Sequence, residues 1–325
     1  MQRFEYASPA SLHEALALLG SEWGQTDVLA GGTDQISLMK EHLHAPKRVV
    51  NIKGIKELGG IHHSSQGLRL GATVTFDEIA SNQALHAEYP SLVSAVMGVT
   101  SPQIRNMGTV GGDLCQRPRC WYFRRGFGLL GVQNGKSLVV NGDNRYHAIF
   151  GGGPAYFVSA SSLGPALIAL GAKVKLVSAS GSRSLPVEKF FVAPQNESAR
   201  EIALLPNEIL TEIEVPSARG VKNATHELRQ KEALDWPLVT ASVALQMQSQ
   251  TVTKARVVLG HVAPTPWVAE QAGQALAGKS LSDDVIAQAA EAAVEGAQPL
   301  SENRYKLQLT RVAVKRALLE ASGKA

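Results

Sequence analysis

Cysteine is nearly missing from this chain. Among 325 residues only Cys115 and Cys120 occur, which excludes a disulfide framework and fits a reducing compartment. Long apolar runs are missing as well: no stretch approaches the roughly eighteen consecutive apolar residues that a membrane-crossing helix needs. The first residues do not read as a secretory leader, since His13 and Glu14 interrupt the apolar positions. A cytoplasmic protein is expected, periplasmic only if co-exported with a signal-bearing partner. Runs of Lys and Arg are absent and the net charge is just +4, so nucleic-acid binding lacks its electrostatic footprint. No Ser/His/Asp set, paired carboxylate or metal cluster stands out as a substrate-transforming centre. The catalytic residues stay unknown, and no metal ligands are assigned.

What is present is ordinary for a globular protein, with 44% hydrophobic and 18% charged residues. The length suggests two domains, with the boundary in the Pro-, Ser- and Gly-containing stretch 216–223. Residues 8–20 read as an amphipathic helix with a Ser11/Glu14 capping box. A strand at 28–30, a helical stretch and a strand at 48–52 make a βαβ-sized unit. Thr75 and Glu78 form a second capping-box pattern. Residues 91–97 read as helix, 100–113 as a dense loop, and 116–153 as a long insertion rich in glycine, arginine and aromatics. Helix 162–170, strand 172–178, strands near 241–247 and 255–262, and helices near 283–294 and 305–320 complete the outline.

Two motifs carry the chemistry. Leu29-Ala30-Gly31-Gly32-Thr33-Asp34 ends a strand with glycines whose N–H groups can form an anion-binding concavity. Ile104 to Asp113 repeats those parts, with Gly108, Thr109, Gly112 and Asp113, and Arg105 stands nearby to balance phosphate charge. Together the loops could clamp one pyrophosphate, with close approach at Gly32 and Gly112 requiring the absence of a side chain. Neither loop is the G-x-G-x-x-G of a nicotinamide-binding fold.

In their context these loops resemble the FAD-binding (medium) subunits of the molybdenum hydroxylases, the group of xanthine dehydrogenase, carbon monoxide dehydrogenase and aromatic-CoA reductase. The resemblance extends through Leu205–Leu210, Arg229–Pro237, Leu259–Pro266 and the ending from Tyr305. It implies an α+β chain: a PCMH/VAO-type FAD-binding domain over 1–216, with subdomains about 1–55 and 56–216 and an insertion about 116–153. A smaller α+β domain like that of carbon monoxide dehydrogenase flavoproteins follows over 217–325. It implies non-covalent FAD held by Leu29, Ala30, Gly31, Gly32, Thr33, Asp34, Ile104, Gly108, Thr109, Gly112 and Asp113, with Ser162 on the adenosine side and Leu210 near the flavin. Molybdopterin and [2Fe–2S] clusters would belong to a large and a small partner subunit, and electrons would leave to an external acceptor. Asp113 stands where the group usually has Asn and would add negative charge near the phosphates. Glu227-Leu228 fall where many members have a lysine.

One branch of the group carries a [4Fe–4S] cluster in a loop like 116–124. Such a cluster takes four thiolates and this chain has two, so both cysteines are expected to be ordinary thiols. Trp121-Tyr122-Phe123 either faces the flavin or packs the insertion, which would serve as a flavin lid or a docking surface. His62-His63 reads as a solvated turn and His261 as a core histidine. Two rivals stand beside the main reading: a self-contained flavoenzyme of the same superfold, and a scaffold without FAD.

Overall fold

The computed structural model describes residues 1–232 and 234–324. Its N-terminal part holds a parallel three-stranded sheet in which Arg48–Asn51 lies between Glu5–Ala7 and Thr26–Leu29. Helix Gln35–Lys40 makes the crossover from Thr26–Leu29 to Arg48–Asn51. Helix Leu12–Ala17 starts at Ser11, whose hydroxyl accepts from the Glu14 N–H at 3.3 Å. The reciprocal half of the box is displaced by one residue, because the Glu14 carboxylate takes the Ala10 N–H instead.

The second sheet is antiparallel, in the order Ile61–Ser64, Gly67–Gly71, Ile209–Pro216, Lys173–Ser178 and Gly181–Pro186. Ile209–Pro216 runs through its centre and carries a bulge between Leu210 and Glu212, which bends the strand locally. Leu68, Leu70, Val174, Leu176 and Ile213 face helices Pro90–Met97 and Gly164–Ala169 in one core. The Thr75/Glu78 capping box is complete in both directions. His62 and His63 lie in a strand rather than the expected turn, and His63 pairs with Glu88 at 2.8 Å.

A third sheet contains Val221–Leu228, Val239–Gln248, Thr251–Gly260 and Trp267–Val268. Helices Glu270–Leu276, Asp283–Ala292 and Tyr305–Ser322 pack on it through Val257, Leu259, Ile286, Ala313 and Leu318. None of the described helices is long and apolar enough to cross a membrane. His261 is buried as expected and Thr240 Oγ1 lies 3.0 Å from its Nδ1.

The insertion is stitched into both parts. Phe123, Leu129 and Leu130 pack on Leu38 and Phe157. Trp121 meets Tyr146 and His147 edge-on, which makes these aromatics packing for the insertion. Further along, the Asn144 side chain donates to Ser301 Oγ and accepts from the Glu302 N–H, while Asn303 donates to the carbonyls of His147 and Ala148. Lys306, fully buried on the last helix, donates to the Tyr146 and His261 carbonyls at 3.1 and 2.7 Å. With no carboxylate partner among the described residues, burial pulls its ammonium down to about 7.

Candidate functional site: a cleft between two glycine loops

Strand Thr26–Leu29 delivers Ala30 to Asp34 to the edge of the parallel sheet. From the other side, 104–112 arrives not as one loop but as two short helices, Pro102–Met107 and Val110–Cys115, broken at Gly108. Ser101 and Thr109 cap them, accepting from the Ile104 and Gly112 N–H groups. The two segments touch: a Cβ on Gly31 would sit 2.0 Å from the Met107 carbonyl oxygen. Between them runs a cleft of about 540 Å³, within the range of small-molecule sites.

The two segments are not equivalent. In the first, the N–H groups of Gly31, Gly32, Thr33 and Asp34 have no acceptor among the described residues, and all four residues line the cleft. Gly32 has φ +74°, the left-handed conformation that turns successive amides toward one point. In the second segment, the amides of Gly108, Val110, Gly111 and Gly112 are bonded internally to Ile104, Val74, Ala72 and Thr109. Gly112 has no positive φ, and its Cβ would meet only Thr109 Oγ1, at 2.9 Å. The first segment therefore offers donors, whereas the second chiefly offers a close-fitting wall.

Of the residues singled out from the sequence, Ala30, Gly31, Gly32, Thr33, Asp34, Ile104, Gly108, Thr109, Gly112, Asp113, Ser162 and Leu210 all line this cleft. Leu29 does not; it lies behind the loop, where its carbonyl accepts from Ile52. The two aspartates face other donors than expected. Asp113 is buried and accepts from Ser161 Oγ at 2.5 Å, the Ser162 and Leu163 N–H groups at 3.1 and 3.0 Å, and Gln116 Nε2 at 3.0 Å. Burial pushes its carboxyl above the usual range despite these bonds. Its carboxylate thus closes the turn before helix Gly164–Ala169. Asp34 accepts from the Arg117 N–H and from Arg124, both at 2.8 Å, and pairs with Arg119 at 3.2 Å. Arg105, the expected counter-charge, donates to the Val99 carbonyl and is not among the lining residues.

Sequence reasoning missed several lining residues. At one end, Arg200 lies over the Trp23 ring at 4.1 Å. Beside it Arg117 joins His44 and Glu201, and His44 reaches Asp27. Burial pushes the Asp27 carboxyl up, but contacts with His44 and Gln35 outweigh it and hold it below its usual range. Elsewhere on the wall, Gly98 to Thr100 meet the segment 234–237, with the Leu234 N–H donating to Thr100 Oγ1 at 2.7 Å. Behind Gly98, Arg229 donates to its carbonyl and pairs with Glu227. Burial raises the Glu227 carboxyl to about 7. Cys115 also lines the cleft, and burial pushes its thiol up to about 12. Cys120 Sγ lies 3.1 Å from His147 Nε2. No group of three or more potential metal ligands occurs among the described residues.

Residues 2–218 match the family model of the FAD binding domain in molybdopterin dehydrogenase, and residues 224–321 match the CO dehydrogenase flavoprotein C-terminal domain. The carbon monoxide dehydrogenase medium chain of Hydrogenophaga pseudoflava is 29% identical over 97% of this chain and 96% of its own. The aldehyde oxidoreductase FAD-binding subunit of Escherichia coli is 28% identical over the full length of both. Among solved structures, a carbon monoxide dehydrogenase from Hydrogenophaga pseudoflava superposes with a TM-score of 0.78, covering 100% of this chain and 99% of that one. A quinoline 2-oxidoreductase from Pseudomonas putida 86 reaches 0.77 at 25% identity, covering 99% of this chain and 98% of that one. On the matched length and the cleft that its two glycine segments enclose, the chain belongs to the FAD-binding subunits of the molybdopterin dehydrogenases, an oxidoreductase family.

Proposed function

We propose that the cleft between Ala30–Asp34 and Gly108–Gly112 holds FAD without a covalent bond, and that the chain works as the flavin subunit of a molybdenum hydroxylase complex. The observation that carries this reading is the row of four unpaired amides around Gly32. These amides line an open cleft and are free to donate to a ligand, and a concave row of them suits a pyrophosphate. Bound there, FAD would supply the redox chemistry, while the protein supplies binding, orientation and electrostatics.

In this reading Gly31 to Asp34 donate to phosphate, Gly108, Thr109 and Gly112 form the opposite wall, and Ile104 and Leu210 pack against the cofactor. Ser162 and the Trp23–Arg200 pair are offered to its remaining polar and aromatic parts. Asp34 and Asp113 act indirectly, by fixing the loops. The residues divide into a FAD domain over 1–216 and a C-terminal domain over 217–325. The relatives described as a medium chain and as a FAD-binding subunit support larger and smaller partners, for which we propose a large molybdopterin-binding subunit and a small [2Fe–2S] subunit. Electrons arriving from the small subunit leave to an external acceptor. We propose the cytoplasm as its compartment, or the periplasm if it is co-exported with a signal-bearing partner; the scarcity of cysteine supports the first.

Acid precipitation of the purified protein is the test. Flavin should appear in the supernatant at one per chain, and flavin retained in the pellet would refute the non-covalent reading. A colourless protein that takes up no added FAD would favour the scaffold alternative.

A further inference from the structure

The insertion reaches the cleft wall through Gln116, Arg117 and Arg119. Arg119 leaves the segment after Cys115 and enters the cleft wall. Its Nη2 is held by Asp34 Oδ1 and by Gln116 Oε1, each at 3.2 Å. Held at two acceptors, the guanidinium lays its face on the Trp236 ring, with Cζ 4.6 Å from the ring centroid. Trp236 also lines the cleft, but it belongs to the segment leading into strand Val239–Gln248. The stack therefore joins two parts of the chain far apart in sequence across one wall of the site.

The two sides of this contact are held unequally. Arg119 is fixed through Asp34, which also receives the Arg117 N–H and Arg124. Among the described residues the opposite segment is held lightly: Leu234 is 78% exposed with φ +55°, Trp236 is 43% exposed, and the Leu234 N–H donates to Thr100 Oγ1. A segment held by sparse polar contacts and little burial belongs to the low-stability end of a structure and opens locally. We propose that Arg119 and Trp236 form a clasp over the cofactor cleft: the stack must part before FAD can leave, so the insertion sets how long the chain retains its flavin. The inference rests on the cleft being the FAD site.

A cation over a tryptophan face attracts only modestly when the pair is partly exposed. For this half-exposed pair the release rate should change roughly three- to tenfold on breaking it, at about 1.4 kcal/mol per tenfold. FAD release from the full chain is followed by the recovery of flavin fluorescence after dilution, for wild type, Arg119→Ala, Trp236→Ala and the double variant. Each single variant should release faster, and the double no faster than the quicker single, because both remove one interaction. Trp236→Phe, which keeps a ring, should fall between. Uptake of added FAD by the flavin-free protein should quicken in the same variants, since a stack that must part for release must part for entry, whereas a merely structural defect in the site would slow uptake. Unchanged release in both single variants, or multiplicative effects in the double, would overturn the clasp. Should Arg119→Ala destabilise the apoprotein through its ion pair with Asp34, Trp236→Ala and Trp236→Phe decide alone. A wild type that holds no FAD would defeat the site itself, whereas a wild type that holds it with indifferent variants would defeat only the clasp.

Discussion

Replacing Gly32 by alanine tests the row of amides most directly. At φ +74° an L-residue costs roughly 1–2 kcal/mol more than glycine. The added Cβ would lie 2.9 Å from Ile36 Cδ1, the free end of a side chain that is 41% exposed and can swing away. The backbone term therefore dominates. Without ligand the variant loop can relax toward negative φ and scatter its amides; binding must then restore the strained form. FAD affinity should fall by the same roughly 1–2 kcal/mol, about 5- to 30-fold in Kd. A valine adds a branch at Cβ, which makes the left-handed conformation a severe outlier, and should abolish stoichiometric retention. The assay is titration of deflavinated protein with FAD, read by flavin fluorescence. Gly220→Ala is the control, since Gly220 has the same φ of +74°, open space around its Cβ and no place in the cleft wall. It should lose stability without losing affinity. Wild-type affinity in Gly32→Ala, or an equal loss in Gly220→Ala, would refute the reasoning.

Asp113→Ala removes one acceptor group from Ser161, Ser162, Leu163 and Gln116; with each stranded buried donor costing about 1–3 kcal/mol, urea unfolding should show a loss of at least that size, and an unchanged midpoint would contradict it. Lys306 gives a pH signature: its folded pKa of about 7 lies below the ordinary 10.5, so the unfolded chain binds more protons between those values and stability should rise with pH across that window, by at most about 1.4 kcal/mol per unit. Lys306→Met should flatten the slope in the pH dependence of unfolding, and a slope identical to wild type would assign it elsewhere. Cys115 and Cys120 should resist alkylation near pH 8 until the protein is unfolded, since burial raises both thiols; rapid labelling of the native protein would refute this. Iron analysis of the chain, expressed with iron supplied, should find no stoichiometric metal, whereas about four irons per chain would restore the cluster-bearing branch.

Signals confined to a few neighbouring residues were legible. Ser11, Thr75 and the glycine pair at 31–32 each announce local backbone chemistry, and each lies where that chemistry predicts. Residues 100–113 read as loop, yet Ser101-Pro102 is a capping residue followed by proline at the first helical position, a start signal that the glycines obscured. Strand Val221–Leu228 went unnoticed because its polar residues hide a two-sided role between the Val239–Gln248 strand and the helices packed on it. Charges were the least legible. Asp34 and Asp113 could be located at the site from sequence, but the direction of a carboxylate depends on where donors arrive, and those come from 117–124 and 161–163. Trp23 and Arg200 carried no signal, since only folding brings them together.

The stitching around Lys306 bears on the order in which the molecule is made. The last helix holds the carbonyls of Tyr146 and His261, the residues just before it hold His147 and Ala148, and the insertion's arginines hold Asp34 beside the first glycine loop. An early-made part of the cleft thus leans on an element made about 270 residues after it. A nascent chain in which Tyr305–Ser322 has not yet emerged would have both glycine segments outside yet lack the fastening behind them. Flavin loading should therefore wait for that helix to emerge and dock, leaving the flavin-free chain before that moment as the form on which quality control acts.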